Sequence, residues 1–328
     1  MARDLRISLT RLKELNNVTG FDEGLIEKAL RLEDLLKEIF QHPYLSKRLL
    51  LKGGTALNFC YFDKPRLSVD IDFNYVGSID RETMKQERPI LENAIVRIVK
   101  DREYDLVHRP GDEHAGGKWR LLYRNVRGEN QNLEFDINYL YRVPIGLVQN
   151  KTFKAFDVSE GFKIRIVSKE ELFAGKVVAS LSRVMARDVY DVSNIAGYSG
   201  IYDKLLFRKA VILLGTSQRE DFRKISSNRL SKVSEKDIKD TLYPLIPLNK
   251  RVSRKGILDK AISFVADLLR FTSEEKEFLD RYLNNAEYRP DILFRQYPHL
   301  ILHIERHPAL LWKRINIERY LKNKTKKE

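Results

Sequence analysis

At 328 residues the chain is long enough for two folded domains, and a 43% hydrophobic share is ordinary for a globular protein. Lys and Arg total 60 against 46 Asp and Glu, a formal charge of +14, which favours a polyanionic partner, nucleic acid before membrane. No run approaches the ~18 apolar residues of a membrane span and the N-terminal stretch lacks the apolar core of a secretory signal, so the expectation is a cytoplasmic protein with no membrane partner. The single cysteine, Cys60, excludes an intramolecular disulfide and a multi-cysteine zinc site.

In residues 1–48 the apolar positions Leu25, Ile26, Ala29, Leu30, Leu32, Leu35, Leu36, Ile39 and Phe40 recur mostly at threes and fours, which predicts a packing helix. Asp22 or a polar neighbour caps it, and Pro43 lies just past its end. Leu49, Leu50 and Leu51 then form a short apolar strand. Gly53-Gly54 lets the backbone turn sharply and approach a bulky ligand, and Thr55 is the expected N-cap of a helix from Ala56 to about Tyr61. Free N–H groups at that helix start make an anion site, with phosphate the obvious occupant. Cys60 reads as a core residue of this helix.

In Ser68-Val69-Asp70-Ile71-Asp72-Phe73 polar and apolar residues alternate, so on a strand Asp70 and Asp72 share one face. Two adjacent carboxylates repel unless a cation lies between them, and a hard cation such as Mg²⁺ (or Mn²⁺) prefers oxygen ligands while keeping positions for water and phosphate. A helix from Asp80 to about Lys100 follows, with Ile90, Leu91, Ala94, Ile95 and Ile98 as its buried stripe and Pro89 expected to kink or split it. Strands return at Asp105–His108, Lys118–Asn125 and Asn132–Tyr141. In the last, Glu134, Asp136 and Asn138 share a face, so Asp136 can complete a carboxylate triad with Asp70 and Asp72, with Glu134 as the alternative.

Ser168 caps a helix whose apolar side carries Leu172, Val177, Val178 and Leu181, with Lys176 at mid-length, either snorkelling to water or aimed into an anionic site. In Ala186-Arg187-Asp188-Val189-Tyr190-Asp191, Arg187 and Asp191 are helical neighbours, and the pattern leaves open whether Asp188 or Asp191 is a functional acid. From about Gly200 the pattern is helical throughout: Asp203–Leu214, Ser234–Tyr243, Lys255–Leu269, Ser273–Asn284, and around Leu293–Glu305 and Pro308–Leu321. His299, His303 and His307 are spaced by four, but no carboxylate or cysteine set accompanies them as a metal site needs. The basic tail from Lys313 is either a solvated end or a nucleic-acid contact.

Alone, Gly-Gly-Thr is an ordinary strand-to-helix turn and Asp-x-Asp a solvated strand face. Together and in this order they resemble the signature of the polymerase-β-like nucleotidyltransferase superfamily. Lys52-Gly53-Gly54-Thr55-Ala56-Leu57 with Arg66, Ser68, Asp70-Ile71-Asp72-Phe73 and Arg187-Asp188-x-Tyr190-Asp191 resembles, more narrowly, the AbiEii/AbiGii toxin family of bacterial abortive-infection and toxin–antitoxin systems. The resemblance implies an α+β fold, a polymerase-β-like core of mixed sheet and flanking helices over 1–199 with a helical lobe over 200–328. It implies transfer of a nucleoside monophosphate from an NTP, with Asp70, Asp72 and Asp136 as metal ligands and catalytic acids, and Lys176 and Asp191 also catalytic. Gly53, Gly54, Thr55, Ser68, Lys176, Arg187 and Asp188 would hold the nucleotide, and a cognate antitoxin would restrain the activity. Resemblance and charge together favour an RNA acceptor, such as a tRNA; a protein acceptor, or an idle RNA-binding protein, are the alternatives.

Overall fold

A computed structural model describes residues 7–111, 115–158 and 160–325, leaving Lys326 and Lys327 of the basic tail outside the described residues. Helices α1 (Leu9–Thr19) and α2 (Glu23–Gln41) open the chain. The Asp22 carboxylate caps α2 by accepting from the N–H groups of Gly24 and Leu25, and Ile26, Ala29, Leu32, Leu35, Leu36, Ile39 and Phe40 are buried, as their spacing predicts.

Strand β1 (Leu49–Lys52) runs directly into α3 (Gly53–Cys60), and β2 (Asp70–Tyr75) follows a loop. Then come α4 (Arg81–Asp101), β3 (Asp105–His108), β4 (Gly116–Arg124), β5 (Asn130–Asn138), β6 (Gln149–Phe153) and β7 (Phe162–Ile166). The seven strands form one sheet in the order β3-β4-β5-β2-β1-β7-β6, parallel where β2 meets β5 and where β1 meets β7, antiparallel elsewhere. This mixed sheet with helices bears out the α+β expectation. Strand β6 was not foreseen, because Gln149–Phe153 is mostly polar and offers one apolar residue to read; β7 was passed over although Phe162, Ile164 and Ile166 alternate with Lys163 and Arg165.

One face of the sheet is the core. Ile71, Phe73, Trp119, Leu121, Phe135 and Ile137 are buried, Trp119 stacks on Phe135 with centroids 5.1 Å apart, and Phe40 of α2 packs edge-on against Phe73 at 6.1 Å. The opposite face carries the charged residues, so the period of two that buries the core also presents the acids.

Helix α4 is unbroken across Pro89. The proline is exposed, so the carbonyl that it deprives of a partner faces water. Its buried stripe is Met84, Arg88, Leu91, Glu92, Ile95 and Val99, whereas Ile90 is exposed, contrary to the apolar reading. The helix buries a salt bridge instead: Arg88 meets Glu92 at 2.7 Å, Arg109 meets the same carboxylate at 2.7 Å, and the Tyr139 hydroxyl donates to it at 3.2 Å. Polar residues in such a network imitate an apolar stripe in position but not in composition.

Helices α5 (Lys169–Arg183), α6 (Ala186–Ala196), α7 (Lys204–Thr216), α8 (Glu235–Asp237), α9 (Arg254–Leu268), α10 (Ser273–Asn285), α11 (Pro290–Leu293), α12 (Pro298–Ile304) and α13 (Pro308–Thr325) complete the chain. The helix expected over Ser234–Tyr243 is present as α8, capped by Ser234, continued by a π-helical stretch over Ile238–Leu242, and it ends where Pro244 follows. The chain forms two compact units. One comprises residues 1–142, 148–167 and 239–251 and holds the sheet; the other comprises 143–147, 168–238 and 252–328 and is helical. Helices α5 and α6, grouped with the strands in the sequence reading, are in the helical unit, where they pack against α7 and α9. No helix among the described residues is long and apolar enough to cross a membrane.

Candidate active site

The sheet unit builds its site where β1 passes into α3. Lys52 is the N-cap residue of α3 and contributes no side-chain cap. Thr55 does not cap the helix as expected: its hydroxyl donates to the Asp70 carbonyl at 2.5 Å, tying the first helical turn to the start of β2. That bond holds the glycine turn and the acidic strand in fixed relation.

The two glycines make room for the chain's own side chains. Gly53 has φ +74°, a left-handed conformation, and a Cβ there would meet the Asp72 carboxylate. A Cβ on Gly54 would lie 2.5 Å from the Ser68 hydroxyl and 2.9 Å from the Arg66 guanidinium. Ser68 and Arg66 are both buried, and an Arg66 Nη donates to the Leu67 carbonyl at 3.0 Å. The close approach expected of a ligand at this turn is thus taken, in part, by Asp72, Ser68 and Arg66.

Strand register gathers the acids. Asp72 of β2 pairs with Lys52 of β1 on one side and Asp136 of β5 on the other, and Asp136 pairs with Lys118 of β4. Directly paired residues point to the same face, so Lys52, Asp72, Asp136 and Lys118 form a row across four strands. Asp70 lies in the neighbouring row opposite Glu134. Glu134, the alternative third acid, is engaged by Lys118 at 2.8 Å and Arg120 at 3.0 Å, and these hydrogen bonds hold its carboxyl below the usual range. Asp136 is different. Burial raises its carboxyl, Lys52 opposes the rise, and the negative charge of Asp72 adds to it. The side chains of Asp72 and Asp136 make no hydrogen bond or ion pair among the described residues.

A hard cation fits this chemistry, because two half-buried carboxylates without an ion-pair partner among the described residues offer oxygen donors and leave other positions for phosphate. The fit is partial: among the described residues no three His, Cys, Asp or Glu side chains converge on a single metal position. His299 and His303 of α12 and His307 beyond its end form no such set either.

The helical unit holds the second set. Lys176 on α5 is buried and its ammonium lies 2.8 Å from Asp191 and 3.5 Å from Asp188, both on α6. Asp188 also takes Arg183 at 2.9 Å, whereas the fully buried Asp191 lies closest to Lys176. Ser168 caps α5 through the Glu171 N–H at 3.1 Å, and Glu171 in turn accepts from the Ile145 N–H at 2.8 Å, which fixes the helix on which Lys176 rides. Arg187, on the same helix as the two acids, is partly exposed. Cys60, at the end of α3, has its thiol pushed up to about 12 by burial, so it is a packing residue with little thiolate.

Sequence reasoning quoted Lys52 only as part of a motif and passed over Lys118. The signal was there in the period of two, but it becomes readable only when the partner strands are known.

Residues 34–287 match the family described as nucleotidyl transferase AbiEii toxin, type IV TA system. In fold the chain is similar to MenT4, a nucleotidyltransferase toxin from Mycobacterium tuberculosis H37Rv, with a TM-score of 0.64 and 17% identity over 88% of this chain and 99% of that one. No curated protein matches the sequence. The family match extends from α2 into the loop after α10, spanning the glycine turn, both aspartate strands and the Lys176 helix; the chain belongs to the AbiEii nucleotidyltransferase toxin family of type IV toxin–antitoxin systems.

Proposed function

We propose that the chain transfers a nucleoside monophosphate from an NTP to an RNA acceptor, such as a tRNA, in a reaction that needs Mg²⁺ or Mn²⁺. The observation that carries this reading is the side-by-side pairing of Asp72 with Asp136 against the Gly53 turn. Asp70, Asp72 and Asp136 would hold the cation, which when bound polarises the phosphoryl group and offsets the charge that develops there. The residues do the rest. Gly53, Gly54 and Thr55 form the phosphate-facing turn, with Ser68 packed behind Gly54. Asp136, held partly out of water, is the best-suited base for the acceptor hydroxyl. On the family resemblance Lys176 is assigned to the nucleotide's negative charge, with Asp191, 2.8 Å from its ammonium, as the residue that orients it, and Arg187 and Asp188 are assigned to nucleotide binding on the same ground.

The net charge of +14 supports a polyanionic acceptor over a protein, and the exposed Lys322 near the end of α13 adds to the basic surface. Unrestrained modification of an RNA needed for translation harms the cell, so a cognate antitoxin is the expected partner, and the cytoplasm is the expected place. Purified protein incubated with each labelled NTP, total RNA and Mg²⁺ tests the reading. Label should enter RNA, and folded Asp72→Ala should abolish it; transfer undiminished in that variant would sink the metal-dependent mechanism.

A further inference from the structure

The row Lys52–Asp72–Asp136–Lys118 places two carboxylates between two cations, but the cations differ. Lys118 is already committed to Glu134 at 2.8 Å. Lys52 makes no side-chain hydrogen bond or ion pair among the described residues, and it is half-buried on the strand that leads into the glycine turn. It is therefore the uncommitted positive charge of the row, beside carboxylates that also lack partners, in a site whose acids do not converge on one metal position.

A lysine placed so has two effects. Its charge offsets the Asp72–Asp136 repulsion and thereby opposes a divalent cation that would do the same. A triphosphate at the Gly53 turn would offer the ammonium a better partner, because Lys52 is the residue from which that turn starts. By linkage, whatever draws Lys52 off the carboxylates raises their affinity for a cation, and the cation raises the affinity for the triphosphate equally.

We propose that Lys52 is a built-in counter-cation of the Asp72–Asp136 pair that keeps a divalent ion from settling there alone, so that metal and triphosphate enter together. Lys52 is on this account a positioning residue, and the proposal rests on the transferase reading only for the identity of the triphosphate. The test is calorimetric titration of nucleotide-free protein with Mn²⁺ alone, and separately with metal-free tripolyphosphate, for wild type, Lys52→Met, Lys52→Gln and Lys52→Arg, each checked for folding by its melting curve. With water-like screening (dielectric constant ~80), losing a unit positive charge about 6 Å from a divalent ion is worth roughly tenfold in affinity.

The expected result is Mn²⁺ binding about tenfold tighter in the Met and Gln variants and unchanged in the Arg variant, with tripolyphosphate bound more weakly by the first two. Mn²⁺ affinity equal to or below wild type in the folded Met and Gln variants overturns the proposal, as does the absence of Mn²⁺ binding in every form. Neither readout requires turnover. A wild-type protein that transfers nothing to any acceptor would defeat the transferase reading and leave these titrations standing.

Discussion

Gly53→Ala is the smallest change that separates the turn's geometry from its chemistry. Two costs arise from the structure. At φ +74° an alanine is held in the left-handed region, which costs roughly 1–2 kcal/mol for a residue with a Cβ. That Cβ would also meet the Asp72 carboxylate, and it would lie 2.8 Å from Asp72 Cγ and 2.9 Å from its Cβ. Ordinary carbon contact begins at ~3.5 Å, so Asp72 must retreat by roughly half an ångström or more. The carboxylate can rotate away; its Cβ moves only with β2, which is paired to both β1 and β5. A displacement of this order at a reacting centre can cost on the order of 100-fold in rate. The expected outcome is a folded protein with a melting point lower by about 2–8 °C, taking roughly 2–4 °C per kcal/mol for a unit the size of the one that holds the sheet, and with NMP transfer down about 100-fold. Gly54→Ala is the control: its φ is not positive, and it meets the ends of Ser68 and Arg66 side chains instead. Scanning calorimetry and labelled-NTP transfer measure both quantities. Gly53→Ala with wild-type stability and rate would refute the claim that this glycine exists to admit Asp72.

Asp136→Asn tests the electrostatics of the same row. Because the folded state raises this carboxyl above its ordinary 3.8, Asp136 stabilises the fold fully only below that value, and the contribution is lost as pH rises through the raised folded value. Metal-free melting curves should show the variant more stable than wild type near pH 7, with the gap closing below pH ~4; a gap independent of pH would count against the assignment. Lys176→Met should destabilise the helical unit by about 3–5 kcal/mol, because it leaves the buried carboxylates of Asp191 and Asp188 without their ammonium. Adding Asp191→Leu should recover part of the loss, and denaturation midpoints decide it: a Lys176→Met midpoint equal to wild type would mean that the pair contributes nothing to the fold.

What the sequence determined by itself was the local chemistry. The caps at Asp22 and Ser168 and the strand alternation that put Asp70 with Asp72 and Glu134 with Asp136 were legible, because each depends on neighbours within a few residues. The buried stripe of α4 was misread because its burial is decided by distant partners, and β6 was missed because its mostly polar sequence shows little alternation, although its partner β7 alternates over Phe162–Ile166. Glu92 is buried because Arg88, Arg109 and Tyr139 meet it, and β6 is a strand because β7 pairs with it. Only the tertiary structure distinguishes the surroundings of Glu134 and Asp136, giving Glu134 two cations and Asp136 none within ion-pair reach among the described residues. It also turned Thr55 from a helix cap into a tie to β2 and gave Gly53 its purpose, the admission of Asp72. Lys52 joined the row the same way. A strand's period fixes which face a residue occupies, but only strand pairing fixes which charges share that face at the same height.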